Sequence, residues 1–407
     1  MRGGVVDTRT SSVQNGGMKI VVTGLIASYP LGGVAWDYLA YVSGFRQLGH
    51  EVFYLEDTGQ WLYDPRAHTF TDEVGFNASY LAATLVRAGD SMRDHWALRA
   101  PNGTYHGASL AVVERFCSAA DLFLNVSGAC WLRDAYRGAR RIAYLDSDPC
   151  YSQAKLLAFE QGTATQDQAY SVGLIRAHDC FFTFAENIQD SSCAIPSCGL
   201  RWMPTRQPIV LSDWPFTCTP TARSYTTVMS WKTDVTLPNL AGVTFGGKDV
   251  EFMKFIDLPA RARVPFEIAL SGASAPRDEL RRRGWVIVDA YEKSCTLNAY
   301  QQYLCESRAE WSIAKNAYVA SRSGWFSTRS AAYLALGKPV VVQDTGFSRY
   351  YPTGEGLFSF STIEEAVAGI VNIESDYRRH CEAARALAER EFAAETVLQR
   401  LLDDAGL

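Results

Sequence analysis

The residues best suited to bind a charged ligand lie between Ser321 and Gly346, where the chain reads SRSGWFSTRSAAYLALGKPVVVQDTG. A small polar loop, Arg322-Ser323-Gly324, leads through Trp325 into a helix that the pattern predicts from about Ser327. The first amides of a helix have no partner inside it, and the helix dipole places partial positive charge at the same end. With the guanidinium groups of Arg322 and Arg329 nearby, these amides form a site suited to a phosphate.

The end of the same segment carries groups that suit a sugar. The predicted helix ends at Gly337, and Pro339 begins a strand that runs into Asp344-Thr345-Gly346. A carboxylate and backbone amides can bind the hydroxyl groups of a sugar, and this loop is expected beside the phosphate site. The segment therefore predicts a site for a sugar attached to a phosphate.

Further basic residues are candidates for the same site. Lys315 follows a predicted strand, where it either contacts a phosphate or is an ordinary loop lysine. Lys248 follows a Gly-Gly pair, and because Gly-Gly-Lys-Asp is common in surface turns we interpret it as a turn residue. The run Arg281-Arg282-Arg283 is typical of a solvated helix end.

Alternating strands and helices must position these residues. The predicted strands are 19–24, 51–57, 121–126, 141–145 and 180–184 in the first half, and 226–231, 266–271, 285–289, 310–313 and 339–343 in the second. The predicted helices include 34–48, 277–283, 297–307 and 327–336. Strands separated by helical segments indicate a parallel, doubly wound sheet in each half.

The sequence thus predicts an α/β protein with two Rossmann-like domains, an interdomain cleft and a C-terminal helical segment. The predicted organisation is a disordered leader at 1–17, an N-terminal domain at 18–220, a C-terminal domain at 221–385 and a C-terminal helix at 386–407. A proline-rich stretch at 197–224 is the predicted linker. In open α/β sheets ligands bind beyond the carboxyl ends of the strands, so the cleft is the expected site.

The composition limits the classes of protein to which the chain can belong. Its 407 residues carry a net charge of -5, which gives no overall electrostatic attraction to nucleic acid. No apolar run approaches the ~18–20 residues of a membrane helix, and the N-terminus has no apolar region typical of a secretory signal. Ten cysteines without a CxxC motif predict reduced thiols in a cytoplasmic protein, and six scattered histidines argue against a His-based metal site.

Two motifs of the segment described first resemble GT-B glycosyltransferases. Arg322–Ser327 (RSGWFS) is similar to the His-Cys-Gly-Trp-Asn-Ser run of the enzymes that use nucleotide sugars, and Ala335–Val341 (ALGKPVV) resembles the Ala-x-Gly-x-Pro-Val-Val turn of the superfamily. The resemblance is good over Phe266–Ala384 and only architectural in the N-terminal half. It implies the GT-B fold and the transfer of a sugar from a nucleoside diphosphate.

The resemblance also implies roles for single residues in the C-terminal half. The first His of the motif corresponds to Arg322, which can still neutralise a diphosphate, whereas the ribose-binding glutamate of the family falls at Ser330 or Ala332. Glu310 either replaces that glutamate or caps its strand. Lys232 lies where the superfamily often places a diphosphate-binding cation, or is an ordinary loop lysine.

In the N-terminal half the expected roles concern the acceptor and its base. An inverting transferase needs a base within hydrogen-bond reach of the acceptor nucleophile. Asp146 and Asp148 follow a strand and are expected at the rim of the cleft, as acceptor contacts or base, although Asp148 also suits a turn. Asp37, expected on a helix surface, and His106, in a Tyr/Gly-rich loop, are the other candidates. Gly32-Gly33 either lets the backbone approach the sugar or its phosphate, or forms a tight turn.

The predicted function is the metal-independent transfer of a sugar from a UDP-, dTDP- or GDP-sugar to a small-molecule or natural-product acceptor. The nucleotide sugar acts as a co-substrate, and no other cofactor is expected. Neither nucleic acid nor a membrane is an expected partner. The alternatives are a sugar-nucleotide epimerase or hydrolase on the same scaffold, and a non-catalytic nucleotide-sugar-binding protein.

Overall fold

The structure, a computed structural model, describes residues 16–232 and 246–407. Residues 1–15, which make up nearly all of the predicted leader, lie outside the described residues. The described chain folds around two parallel sheets, one in each half, which confirms the predicted α/β class.

Ten strands belong to the N-terminal half. They are β1 (Lys19–Thr23), β2 (Glu51–Glu56), β3 (Leu62–Asp64), β4 (Thr69–Thr71), β5 (Trp96–Arg99), β6 (Tyr105–Gly107), β7 (Leu122–Val126), β8 (Arg141–Asp146), β9 (Cys180–Thr183) and β10 (Trp202–Pro204). Eight of them form one sheet in the order β10-β9-β8-β7-β1-β2-β5-β6, and β3 pairs with β4 in a separate hairpin. Only β6 runs antiparallel to its neighbour in the large sheet. The central strands are apolar runs because helices cover both faces of a parallel sheet.

The helices of this half alternate with the strands. They are α1 (Gly32–Gln47), α2 (Gly75–Leu85), α3 (Leu110–Ser118), α4 (Tyr151–Glu160) and α5 (Gln166–Arg176). Helix α1 follows the loop after β1, and most of its residues are buried. The first turns of α1 and α4 lie at the carboxyl edge of the sheet, because these helices follow β1 and β8.

The C-terminal half repeats the same plan, with six strands in the part of it that the structure describes. They are β11 (Tyr225–Ser230), β12 (Phe266–Ser271), β13 (Trp285–Asp289), β14 (Ala309–Ser312), β15 (Val340–Gln343) and β16 (Leu357–Phe360). All neighbours are parallel in the order β13-β12-β11-β14-β15-β16. The chain therefore builds outward from β11 on one side and then returns to its other side at β14, as in a doubly wound sheet.

Among the described residues ten helices accompany this second sheet. They are α6 (Lys248–Phe252), α7 (Leu258–Ala262), α8 (Arg277–Arg282), α9 (Ala290–Ser294), α10 (Leu297–Glu306), α11 (Asn316–Ser321), α12 (Thr328–Ala335), α13 (Ile363–Ser375), α14 (Tyr377–Glu391) and α15 (Ala394–Ala405). The last helix returns to the N-terminal half, where Ala394 and Leu398 face Gly44 of α1. A side chain at Gly44 would collide with Leu398, so glycine permits this close contact between the helices.

The predicted linker is packed into the molecule over much of its length. Trp202–Pro204 forms the edge strand β10, and Ile209 pairs with Ala393 in an isolated parallel bridge. Further on, the Trp214 ring lies 4.9 Å from that of Trp36 in α1. The proline-rich stretch thus connects the two sheets, and residues of both halves of the chain pack against it.

Candidate functional site

A cavity of about 590 Å³ opens between the two sheets at their carboxyl edges. The loops after β1, β7, β8 and β9, together with α1 and α4, form what we call the N-terminal wall. Strand β11, the start of α6, the loop after β14 and the start of α12 form the C-terminal wall. In each sheet the cavity borders the two strands at which the chain order reverses, and open α/β sheets bind ligands at such a point.

Lys248 lies in the C-terminal wall, as the first residue of α6. Burial and the neighbouring charges of Arg329 and Lys315 lower the pKa of Lys248 well below its ordinary value. Within the described residues its ammonium group has no ion pair or hydrogen bond. The interpretation of Lys248 as a surface turn residue was therefore wrong, because this residue lines the cavity.

The N-terminus of α12 faces the cavity beside this lysine. Ser327, Thr328 and Arg329 line the wall, and the Ser327 side chain makes no capping hydrogen bond. Among the described residues the first amides of α12 thus remain available, and the helix dipole favours an anion in front of them. This end of the predicted phosphate site does border the cavity.

Arg329 is fixed by the strands behind it. Its Nε donates to Glu310 Oε1 over 2.6 Å, and its other nitrogens donate to the Val228 carbonyl (2.7 Å) and to Ser312 Oγ (2.5 Å). Glu310 is fully buried and does not line the cavity. Its predicted contact with a ribose is therefore corrected: Glu310 positions Arg329.

Asp148 lies in the cavity, but its carboxylate is already engaged across the cleft. Lys315 Nζ lies 2.9 Å from Asp148 Oδ1, and the Tyr318 hydroxyl donates to the same oxygen. Burial alone would raise the pKa of Asp148, but these two partners outweigh it and the pKa falls below its ordinary value. A carboxylate stabilised in this way is a weak base.

Asp146 also borders the cavity, and its hydrogen bonds hold neighbouring elements in place. Its two oxygens accept from Ser152 Oγ (3.0 Å), Gln153 Nε2 (2.9 Å) and Thr183 Oγ1 (3.0 Å). Burial raises the pKa of Asp146 to about 6 against these bonds. The residue thus ties the end of β8 to the start of α4 and to β9.

Among the described residues, Asp37 is the carboxylate of the N-terminal wall that has no partner. It lies in the second turn of α1, lines the cavity, and accepts no hydrogen bond from any described residue. Burial raises the pKa of Asp37 to about 7, against the opposing charge of Arg329. The expected duty on a helix surface is corrected, because this side chain faces the cavity.

The rest of the N-terminal wall includes five tyrosines and one further cation. Lys155 of α4 lines the cavity, and burial lowers its pKa. The tyrosines at this wall are Tyr29, Tyr38, Tyr41, Tyr144 and Tyr151. Sequence analysis did not single out Lys155, since one lysine inside a helix has no local pattern that distinguishes it from a surface residue.

The turn Arg322-Ser323-Gly324 does not line the cavity, which contradicts its predicted role as a phosphate loop. Arg322 is exposed, and Ser323 is fully buried. The amide of Gly324 donates to the Thr345 carbonyl over 2.9 Å, so it is not available to a ligand. Asn187 of the N-terminal half packs against this turn and donates to the Arg322 carbonyl over 2.8 Å. The turn serves contact between the halves.

The loop Asp344-Thr345-Gly346 also forms hydrogen bonds within the protein, which contradicts its predicted contact with a sugar. Asp344 Oδ1 accepts from the amide of Gly346 over 2.8 Å, and its other oxygen accepts from Ser348. Thr345 donates to the Trp325 carbonyl over 2.5 Å, and the Gly346 carbonyl accepts from Asn187. None of the three residues lines the cavity.

Two further candidates lie away from the cavity. Lys232 is exposed just after β11, and His106 lies on β6 at the outer edge of the N-terminal sheet. Neither lines the cavity, so the structure supports neither the diphosphate role of Lys232 nor the base role of His106.

Gly32 and Gly33 open α1, and only Gly33 borders the cavity. A side chain at Gly32 would collide with the Thr296 carbonyl, and one at Gly33 would lie 3.1 Å from the Tyr300 ring. Both glycines therefore allow α1 to approach α10 of the other half, and Gly33 also leaves space in the cavity.

Trp325 connects the two walls. Its ring stacks on Tyr318 with centroids 4.4 Å apart, and its Nε1 donates to the Ser147 carbonyl over 3.1 Å. Trp325 lines the cavity, but Tyr318 occupies one face of its ring. Across the described residues there is no cluster of three or more His, Cys, Asp or Glu side chains that could hold a metal. Nor does this part of the chain contain a helix with the length and apolar character to cross a membrane.

Of the comparisons of this chain with known proteins, only the one with solved structures gives matches. No family model and no curated protein matches the sequence. Anabaena Alr3699/HepE in complex with UDP-glucose superposes with a TM-score of 0.55 at 14% identity, over 96% of this chain and 99% of that one. An alpha-glucosyltransferase in complex with UDP and a 13-mer DNA gives 0.55 at 10% identity, over 96% and 100% of the two chains. Sucrose-phosphate synthase from Thermosynechococcus elongatus gives 0.50 at 12%, over 95% and 99%.

These similarities extend over nearly the whole chain, and they define a class by architecture: two doubly wound domains that face each other across a cleft. That architecture is the GT-B fold of nucleotide-sugar glycosyltransferases, and this chain has it. The resemblance that the sequence motifs indicated is thereby confirmed at the level of fold.

Proposed function

We propose that the protein is a glycosyltransferase that takes a sugar from a nucleoside diphosphate, held by the C-terminal wall, and passes it to an acceptor at the N-terminal wall. The observation that carries this proposal is the pairing of Lys248 with the open N-terminus of α12 at one cavity wall. The ammonium group of Lys248 and the first amides of α12 both favour negative charge, so together they can bind the two phosphates of such a donor. UDP is the first nucleotide to test, because Alr3699/HepE and the alpha-glucosyltransferase were solved with it.

The C-terminal wall suits the stabilisation of a leaving group. Negative charge accumulates on the diphosphate as the bond to the sugar breaks, and preorganised cations and amides offset it. Arg329 is held in place by Glu310, so its charge needs no rearrangement during the reaction. Lys248 lacks a partner among the described residues, and an anion beside it would raise its lowered pKa again. These groups supply the positive charge that the proposed metal-independent transfer requires.

Asp37 is the best candidate for the base that activates the acceptor. A base is most effective when its pKa lies near the working pH, and the pKa of Asp37 is about 7. Asp148 has the lower pKa and is bound to Lys315, so we assign it to holding the two walls together. This assignment implies an inverting reaction.

We further propose that the acceptor is a small molecule, since the cavity that would hold both substrates measures about 590 Å³. One of the similar structures holds a DNA 13-mer, which runs against our expectation that no nucleic acid takes part. A DNA oligonucleotide therefore belongs in any panel of acceptors.

Calorimetry with UDP, dTDP and GDP tests the donor assignment. Lys248→Ala is expected to weaken binding of the preferred nucleotide by about 10- to 100-fold, since a hydrogen bond to a charged group contributes roughly 1.5–3 kcal/mol. Lys232→Ala is the matched control, because it removes an exposed lysine of the same half that lies outside the cavity. Absence of binding by all three nucleotides, or equal affinity in Lys248→Ala and the wild type, would contradict the proposal.

Release of UDP from a UDP-sugar then separates transfer from the alternatives. Transfer requires an added acceptor, hydrolysis proceeds without one, and epimerisation changes the sugar while leaving it attached to UDP. A binding protein gives saturable binding with no product.

A further inference from the structure

The charged groups of the cavity divide into those with partners and those without. Of the described residues, seven with charged side chains line it, and four of these are compensated: Lys315 pairs with Asp148, Arg329 pairs with Glu310, and Asp146 accepts three hydrogen bonds. The described residues provide no partner for the remaining three, which are Asp37, Lys155 and Lys248. In the proposed function Lys248 meets the donor diphosphate and Asp37 meets the acceptor hydroxyl. Lys155 is left over.

Lys155 belongs to the N-terminal wall, whereas the proposed donor cations belong to the C-terminal wall. It belongs to α4 in the N-terminal half, one helical turn beyond Tyr151, whereas Lys248 and the start of α12 belong to the C-terminal half. A donor diphosphate bound at the C-terminal wall accounts for Lys248 but not for this second ammonium group. The ammonium group of Lys155 is therefore available to a ligand that binds to the N-terminal wall.

An ammonium group half-buried without a counterion is unfavourable, since burial disfavours its charged form. Asp146 is the anion that raises the pKa of Lys155, but burial outweighs it, and both oxygens of Asp146 accept hydrogen bonds from other side chains. No hydrogen bond or ion pair joins Lys155 to Asp146. An anionic group in the cavity would supply the missing partner.

We propose that the acceptor carries an anionic group, a phosphate or a carboxylate, and that Lys155 binds it. The inference rests on the proposed function, because it takes the N-terminal wall as the acceptor site. Tyr144 and Tyr151 line the same wall as Lys155 and can contact the body of a small organic molecule, while the ammonium group binds its charge. Lys155 is thus a specificity-determining residue, not a catalytic one.

The test uses protein saturated with UDP, so that the donor site is filled, and titrates inorganic phosphate or acetate by calorimetry. The wild type is expected to bind at least one of these anions, and Lys155→Gln to bind it at least tenfold more weakly, while Lys155→Arg retains it. Lys19→Gln is the matched control, since Lys19 starts β1 at the amino edge of the same sheet, away from the cavity. Phosphate and acetate as separate arms distinguish the two kinds of anionic group.

Each outcome bears on a different statement. If none of UDP, dTDP and GDP binds to the wild type, the proposed function fails, and the inference that rests on it fails as well. If UDP binds but neither anion does, or if Lys155→Gln binds the anion as tightly as the wild type, the assignment of Lys155 is wrong while the donor site stands. UDP affinity that stays unchanged in Lys155→Gln excludes a folding defect as the cause of a lost anion site.

Discussion

The two walls of the cavity differ in how their charged groups are held. In the C-terminal wall Arg329 is fixed by three hydrogen bonds to residues of the sheet behind it. In the N-terminal wall Asp37 and Lys155 face the cavity without a partner among the described residues. Lys248 of the C-terminal wall also has no partner among the described residues, and Asp146 and Asp148 of the N-terminal wall are held by hydrogen bonds. The contrast is therefore between Arg329, which is fixed before a ligand binds, and Asp37 and Lys155, which need a ligand to complete them.

This difference matches the division of labour in the proposed reaction. Stabilising a diphosphate requires charges that are in place before the bond breaks, so that no reorganisation accompanies the reaction. Accepting a proton requires a group whose charge is not already compensated. The contrast therefore explains why Asp37 rather than Asp148, which is ion-paired to Lys315, is the better base.

The largest expected effect tests the N-terminal wall. Asp37→Asn should lower kcat by about 100- to 10,000-fold, the contribution typical of a general base, while UDP affinity changes little. In the wild type kcat should rise with pH through about 7, because the carboxylate must lose its proton to act as a base. Steady-state kinetics between pH 5 and 9 provides both measurements.

Asp148→Asn is the informative comparison for that experiment. A larger loss of kcat in Asp148→Asn than in Asp37→Asn, together with a pH profile that is flat near 7 in the wild type, would transfer the base role to Asp148. The two walls would then not differ in the way described.

The C-terminal wall can be tested through its buried ion pair. Glu310→Gln leaves the Arg329 charge without a counterion, and breaking a buried pair from one side costs about 3–5 kcal/mol of unfolding free energy. Glu382→Gln is the matched control, because the Arg378–Glu382 pair is exposed and such pairs contribute at most about 1 kcal/mol. Urea denaturation measures both variants. Equal stability of Glu310→Gln and the control would show that Arg329 is not held as described.

A smaller effect concerns stability and again involves Asp37. Its pKa is raised to about 7 in the folded protein, from an ordinary value of 3.8. Between these values the folded state keeps a proton that the unfolded state has lost, so the contribution of Asp37 to stability declines as the pH rises from about 4 to 7. Asp37→Asn removes this decline, and its Tm relative to the wild type should increase over that range. A difference in Tm that is independent of pH would contradict the raised pKa.

The sequence predicted the elements well because their signals are local. All ten predicted strands are present, and apolar runs such as Lys19–Thr23 give their ends to within one residue. The start of α12 was predicted for the same reason, since a small polar loop before a helical pattern marks an N-terminus. The fold could thus be predicted from the motifs and the alternation of elements.

The sequence could not reveal which turn faces the cavity. Asn187 donates a hydrogen bond to the turn at Arg322-Ser323-Gly324. It lies 135 positions away from Arg322 in the chain, so no local pattern encodes that contact. Lys248 enters the cavity because α6 begins there, although its Gly-Gly-Lys sequence is equally typical of a surface turn. Packing between the halves decided both cases.

Arg322→Ala is the prediction with the smallest effect, and it separates the motif from the structure. The motif predicts that this arginine neutralises a diphosphate, whereas the structure leaves its side chain exposed and outside the cavity. We expect the UDP affinity of Arg322→Ala to stay within about twofold of the wild type, because the lost charge lies in solvent, where single interactions contribute little. A tenfold loss in calorimetry, similar to that of Lys248→Ala, would mean that the turn moves into the cavity when the nucleotide binds. The C-terminal wall would then not be fixed in advance, and its contrast with the N-terminal wall would disappear.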